Sequence, residues 1–356
     1  MSKKIEEIDV NFKKAEIGGK ELVFADALLA PFELSGFAWY HEEHKLCRLP
    51  EAILPETNDG VRYLAYNTSG GMIRFRTNAA TIAIRAELHE PGDMNKMPRN
   101  GSAGFDLYIG ISNDKKFYNS ISPGIGEKKI EIILADGLSN DEMRDWSLYM
   151  PLYSGVNSVE IGFNPGCAIV SPTPFTIKNP VAIYGSSITQ GGCASRTGNA
   201  YTNMLTRWVD APLINLGFSG SARGETAIAH TIASLEMSAF ILDYDHNAPN
   251  IDHLQATHEP FFHIIRDKQP NLPIIMLTKC DFYQNDDCRK RRDIVLQTWQ
   301  NAINKGDTNV YFIDGETLFG TDNRDACTVD GCHPNDLGFY RMAKTVLPVL
   351  KQVLGE

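Results

Sequence analysis

The sequence has no apolar run long enough to cross a bilayer, so no membrane-spanning helix is expected. It also lacks an excess of positive charge: 34 lysines and arginines stand against 44 aspartates and glutamates, a net charge of −10. With a pI near 5.4, the chain as a whole repels a phosphate backbone or an anionic lipid surface, and neither nucleic acid nor membrane is expected as a partner. Its one basic run, Arg289-Lys290-Arg291-Arg292, lies among Asp286, Asp287 and Asp293 and reads as a solvated helix start. No secretory leader is visible, because the basic residues of Met1-Ser2-Lys3-Lys4-Ile5-Glu6-Glu7 are followed by no apolar stretch. As written the chain reads as cytoplasmic, or as periplasmic or secreted if a native leader was removed. Cysteine is sparse and odd in number, seven residues, which argues against a full disulfide framework. Cys280 with Cys288 and Cys327 with Cys332 are close enough in sequence to pair in an oxidising compartment.

What is present is an ordinary globular composition, 43% hydrophobic and 22% charged, over 356 residues. That length allows two domains, each with its own core. Up to about residue 175 the pattern has period two. In Ala80–Leu88, residues Ile82, Ile84, Ala86 and Leu88 share one face, and Phe105–Ile111, Lys129–Leu134 and Ser158–Phe163 alternate likewise. Turn chemistry separates these runs at Asn58-Asp59-Gly60, Ser69-Gly70-Gly71, Pro91-Gly92-Asp93 and Asp136-Gly137. Short strands with turns between them predict a jelly-roll-like β-sandwich over residues 1–175. His41-Glu42-Glu43-His44 resembles a zinc motif, but its spacing is one residue short and a surface segment is expected. Asp106, in Gly104-Phe105-Asp106-Leu107-Tyr108, is expected to be satisfied in a turn beside a structural strand.

Ser171-Pro172-Thr173-Pro174 punctuates the chain, and from Asn179-Pro180 the pattern changes. Apolar strand-like runs at Val181–Tyr184, Leu213–Leu216, Ala239–Leu242, Ile274–Leu277 and Val310–Ile313 alternate with helical spacings. A closing helix carries Phe339, Met342, Val346 and Leu350. Residues 176–356 are therefore expected to form a five-stranded parallel sheet covered on both faces, a three-layer α/β/α domain. Ligands bind such sheets at the carboxyl ends of their strands.

The first of these strands breaks into Gly185-Ser186-Ser187-Ile188-Thr189-Gln190-Gly191-Gly192, which lacks the spacing and the lysine of a phosphate-binding loop. It presents a serine at a strand end. Downstream loops offer the partners that acyl transfer needs. Ser187 is the candidate nucleophile, His333 the base and Asp330 the group that orients the imidazole. The N–H groups of Ser187 and Gly220 and the Asn247 side-chain amide are candidates for an oxyanion hole. Asp243 and His246, also three apart, offer a rival acid and base, and Asp325 is a weaker rival to Asp330. A zinc site from Cys327, Cys332 and His333 fits no recognised spacing and would remove the base; with Cys193, these thiols are expected to pack loops. No metal or organic cofactor is expected.

Four stretches, in this order, resemble the blocks of the SGNH/GDSL hydrolase superfamily: Gly185-Ser186-Ser187-Ile188, Ser219-Gly220, His246-Asn247 and Asp330-Gly331-Cys332-His333-Pro334. Gly104–Tyr108 resembles the β-sandwich module named for its Gly-x-Asp-Leu-Tyr motif. Ser186 and Ala248 depart from the acidic residues usual in the first and third blocks. The resemblance implies a flavodoxin-like hydrolase domain and esterase chemistry through an acyl-enzyme. The substrate expected is a small-molecule or oligosaccharide ester with a short acyl group, acetyl on a carbohydrate in the first instance. The polar loop residues Thr189, Gln190, Ser195, Arg196 and Asn199 favour this, and Arg196 and Arg223 are candidates to hold a polar substrate. Alternatives are an esterase or thioesterase for lipid or small-molecule acyl groups, and a non-catalytic carbohydrate-binding protein.

Overall fold

The computed structural model describes residues 3–4, 13–280 and 285–356. The leader reading at residues 1–7 falls mostly outside them. The first half is two antiparallel sheets packed face to face. One runs in the order Lys3–Lys4, Ala168–Val170, Met72–Thr77, Arg144–Tyr149, Phe105–Ile109, Lys116–Ile121, with Glu33–Ser35 also paired to Met72–Thr77. The other runs Lys13–Ile17, Lys20–Asp26, Gly155–Phe163, Ile82–His89, Lys129–Ala135. The period-two reading holds: Ile82, Ile84, Ala86 and Leu88 point into a core with Phe75, Leu107, Trp146 and Phe163, while Arg85 and Glu87 lie at the surface.

Asn58-Asp59-Gly60 is not a turn between strands. Asn58 caps a helix, Asp59–Leu64, by accepting the N–H of Val61 at 3.1 Å. So short a helix, with a glycine inside it, draws its stability from packing rather than propensity. Cys47, Leu49, Leu54, Val61 and Leu64 supply that packing, and they do so against Tyr184, Leu216, Phe218 and Ile228 of the second half. This stretch of the first half is thus built into the core of the second.

All five expected parallel strands are present, at Val181–Gly185, Leu213–Gly217, Ala239–Asp243, Ile274–Leu277 and Val310–Ile313. Their order in the sheet is second, first, third, fourth, fifth. Alternate residues of the first strand serve opposite layers. Ala182 and Tyr184 meet the helices Thr226–Ala233, Ile251–Lys268 and Asp286–Asn304. Val181 and Ile183 meet Tyr201–Trp208 and Asp336–Leu354. The strand order reverses beside the first strand, which places the ligand crevice at its carboxyl end. The basic run is not wholly solvated: Arg291 is buried and donates to the carbonyls of Asp245 and Ala248 at 2.9 and 2.8 Å.

Arg48 joins the halves. It is buried, and its guanidinium donates to the carbonyls of Leu64 and Asn67 on its own side and of Asn215 and Gly217 across the junction, at 2.7–3.0 Å. Its charged carbon lies 4.6 Å from the centre of the Phe218 ring. Burial pushes its pKa down to about 10, which leaves it a cation at neutral pH. A second buried tether pairs Lys115 with Asp210, which also accepts from the N–H and hydroxyl of Thr176. Arg48→Ala withdraws the guanidinium from four carbonyls, of which, among the described residues, only that of Leu64 keeps a second donor, the Asn67 N–H, and is expected to cost on the order of 3–5 kcal/mol of stability in chemical denaturation. A loss below about 1 kcal/mol would show that the junction holds without it.

Candidate active site

The first parallel strand ends in a turn that only glycine permits at position 185. A Cβ there would lie 2.1 Å from Thr189 Oγ1 and 2.4 Å from the Asp243 carbonyl. Ser186 then caps the one-turn helix Ser187–Gln190, its Oγ accepting from the Ile188 N–H at 3.1 Å. This is the local use of the serine that departs from the family pattern. Ser187 stands at the helix N-terminus, with its Oγ 3.0 Å from His333 Nε2. His333 Nδ1 lies 3.0 Å from Asp330 Oδ2.

The loop that brings His333 there is tied by local bonds. Asp330 Oδ1 accepts the N–H groups of Cys332 (3.1 Å) and His333 (2.8 Å), and Val329 N–H donates to the His333 carbonyl at 2.9 Å. Asn335 caps the closing helix directly after it. Burial opposes ionisation of Asp330, but bonds from the His333 N–H, from Lys96 and from the imidazole outweigh it and hold the carboxyl well below the usual carboxylate range. An ionised Asp330 fixes the Nδ1–H tautomer, leaving Nε2 free to accept a proton from Ser187.

The expected oxyanion donors lie on the segments that follow the first three parallel strands. Gly220 adopts a left-handed φ of +64° at the surface, and its N–H and that of Ser187 have no hydrogen-bond partner among the described residues. Asn247 donates one amide hydrogen to the Phe218 carbonyl at 2.9 Å, which clamps it to the glycine loop and leaves the second hydrogen available. Arg291, holding the carbonyls on either side, fixes the asparagine loop in turn.

The rival pair does not form. Asp243 turns into the core and accepts from Thr189 Oγ1 (2.8 Å) and the Tyr201 hydroxyl (2.7 Å), and burial raises its pKa to about 8. His246 places Nε2 3.2 Å from Cys332 Sγ, and burial lowers its pKa to about 3, so it stays neutral. Asp325 is exposed on the turn Arg324–Cys327. With both His333 nitrogens engaged by Ser187 and Asp330, the imidazole has none left for a metal. Among the described residues no group of His, Cys, Asp and Glu is arranged to hold one.

Several substrate-facing expectations are corrected. Arg196 pairs with buried Asp106 at 2.7 Å, donates to the Tyr108 hydroxyl and lies over the Phe117 ring, so it fastens the nucleophile loop to the sandwich. Asp106 is accordingly not in a turn; its Oδ2 also accepts the Gly198 N–H. Thr189 points to Asp243, Gln190 to Asn67 and Leu152, and Ser195 and Asn199 to Asp336. Each of these polar groups is thus held by a partner within the protein. Arg223 is exposed at the rim of the glycine loop, 3.4 Å from the Gly220 carbonyl.

Sequence reasoning missed what the sandwich brings. Lys96 donates to Asp330 Oδ2 at 2.9 Å, the oxygen that faces His333. Tyr153 OH donates to the Ser187 carbonyl at 3.2 Å, and Gln190 bridges Asn67 to the Ser219 N–H. No local signal marks these residues, since a loop's long-range partner is not written in its own spacing.

The family model for GDSL-like lipase/acylhydrolase proteins matches residues 178–351, and that for the N-terminus of SGNH-hydrolase-type esterases, GxDLY, matches residues 22–169. A solved structure described as a GDSL-like lipase, from Bacteroides ovatus ATCC 8483, is similar over 94% of this chain and 98% of its own, at 31% identity and TM-score 0.84. The salicylyl-acyltransferase SsfX3, from a tetracycline biosynthetic pathway, is similar over 93% and 97%, at 18% identity and TM-score 0.75. The acetyl xylan esterase Est2A, from the rumen bacterium Butyrivibrio proteoclasticus, is similar over 93% and 99%, at 13% identity and TM-score 0.59. At those identities the last two show the shared fold alone. No curated protein matches the sequence.

The buried Asp243 yields a pH prediction. A carboxyl raised on folding from 3.8 to about 8 contributes stability that is present below the unfolded value and lost as pH rises through the folded one. Asp243→Asn removes that dependence. Its melting temperature is expected to gain on the wild type's from about pH 4 to about pH 8 and to level off above. A difference that stays constant over this range would mean that Asp243 is ionised throughout.

Proposed function

As a member of the GDSL-like lipase/acylhydrolase family the chain is an ester-hydrolysing enzyme, and we propose that it is a serine esterase acting through Ser187, His333 and Asp330. The observation that carries this is the unbroken series of 3.0 Å contacts from Ser187 Oγ to His333 and from His333 to Asp330. Ser187 Oγ attacks the ester carbonyl as His333 Nε2 takes its proton, and Asp330 stabilises the imidazolium that forms. The N–H groups of Ser187 and Gly220 and the free amide hydrogen of Asn247 receive the developing oxyanion. His333 then protonates the departing alkoxide, leaving an acyl group on Ser187. A water, deprotonated by His333, repeats the attack and releases the acid. The Lys96 ammonium steadies Asp330 from the sandwich side.

For substrate, we favour a short acyl ester, acetyl, on a carbohydrate. In support, proteins that share the two-domain fold include carbohydrate esterases of family two and an acetyl xylan esterase. A second reading, an esterase for a bulkier apolar acyl group, draws on a cleft of about 730 Å³ beside the Asp330 loop. Met97, Pro98, Val329 and Leu337 line part of it, beside Lys96, Ser195 and Asp336, and the apolar part suits hydrocarbon.

Hydrolysis of 4-nitrophenyl acetate, butyrate and octanoate separates the two. The carbohydrate reading expects acetate to be preferred, and a rise in kcat/KM with chain length would favour the second. Ser187→Ala and His333→Ala are each expected to lower kcat roughly a thousandfold or more. Variants matching the wild type would end the serine mechanism. Lys96 is an exposed cation, so Lys96→Ala is expected to lower kcat only about two- to fivefold, and by less as salt screens the pair. A loss that ignores ionic strength would contradict an electrostatic role for it.

A further inference from the structure

A second cleft, of about 420 Å³, opens on the sandwich side between the helix Asp59–Leu64 and the strand end at His89 and Glu90. It contains two of the protein's exposed aromatic residues, Tyr63 and Tyr66, at 57% and 37% exposure. The Tyr66 hydroxyl donates to Glu51 at 3.0 Å and Glu90 lies beside Tyr63, while both rings stay open to solvent. The rest of the lining is polar: Asp59, Arg62, His89 and Glu90, above Asn67. Among the described residues no aliphatic side chain lines it. A hydrocarbon chain would find no apolar wall here, unlike in the cleft beside Asp330. Two carboxylates stand against one guanidinium and an imidazole, so a strongly anionic ligand finds no net attraction. Aromatic rings among planar hydrogen-bonding groups suit a pyranose, whose C–H faces stack on rings and whose hydroxyls both donate and accept.

The cleft is also tied to the proposed active site. Asn67 Oδ1 accepts from Gln190, the last residue of the helix that begins with Ser187, and Gln190 Oε1 accepts the Ser219 N–H beside Gly220. Asn58, the cap of the helix that carries Tyr63, donates to the Ser221 carbonyl at 2.8 Å on the other side of Gly220. The segment leaving the cleft at Glu90 continues to Lys96, which touches Asp330. The tyrosine cleft and the loops around Ser187 are thus joined by short chains of contacts on the sandwich side.

Building on the carbohydrate reading above, we propose that this cleft is a sugar-binding subsite that holds an oligosaccharide at a residue removed from the one bearing the ester. Monosaccharide esters are then too short to use it, and oligosaccharide esters gain affinity from it.

The test compares wild type, Tyr63→Ala and Tyr63→Phe on acetylated xylohexaose and on 4-nitrophenyl acetate. For Tyr63→Ala, the ratio of kcat/KM on the oligosaccharide to that on the chromogenic ester is expected to fall roughly tenfold, through KM, because a stacked ring is lost. Tyr63→Phe keeps the ring and is expected to stay within about threefold of the wild-type ratio. An unchanged ratio for Tyr63→Ala, with the wild type active on both substrates, overturns the subsite and leaves the carbohydrate reading standing. A wild type that cleaves 4-nitrophenyl acetate but no acetylated sugar overturns the carbohydrate reading, and the subsite with it.

Discussion

The buried guanidinium of Arg48 is the interaction on which the arrangement depends. A cation out of water must have its hydrogen bonds satisfied, and here all the acceptors are main-chain carbonyls. Two belong to the first half and two to the end of the second parallel strand. The strand that delivers the glycine loop is thus held by a residue of the other half. Gln190 repeats this between the nucleophile helix, the glycine loop and Asn67. The sandwich is therefore part of the wall of the site, and the loops at the carboxyl edge owe their positions to both halves.

The electrostatics follow from the same construction. Asp330 sits in a web of donors strong enough to outweigh the cost of burying it, whereas Asp243, the last residue of the third parallel strand, is buried with only two hydroxyls and is pushed towards the neutral acid. Two carboxyls on one sheet edge are thereby set apart by environment alone. Only Asp330 suits the task of stabilising an imidazolium, and His246, desolvated and facing a thiol, is unsuited to being the base.

The parallel strands were legible because each is a short apolar run between helical spacings, and Ser187, Asp330 and His333 because their geometry is fixed by local turn chemistry. An aspartate accepting N–H bonds two and three residues on, followed by a helix cap, is a pattern visible in the string Asp330–Asn335. What escaped reading was set by contacts between distant segments. Arg196 has the appearance of a substrate ligand until Asp106, far away in sequence, takes its charge. Asn58-Asp59-Gly60 has turn chemistry, yet the apolar face of the second half selects a helix there. Arg291 reads as a solvated charge until two carbonyls of the asparagine loop claim it. In each case the residue type was informative about chemistry and silent about partner.

In the proposed mechanism Ser187, activated by His333, is the group that takes up the acyl moiety. The most direct test is covalent labelling with diethyl 4-nitrophenyl phosphate, read by intact mass and peptide mapping. A single diethylphosphoryl adduct, located on Ser187, is expected, and its formation slows sharply in His333→Ala. No adduct, or an adduct on another residue with Ser187 unmodified, would contradict it.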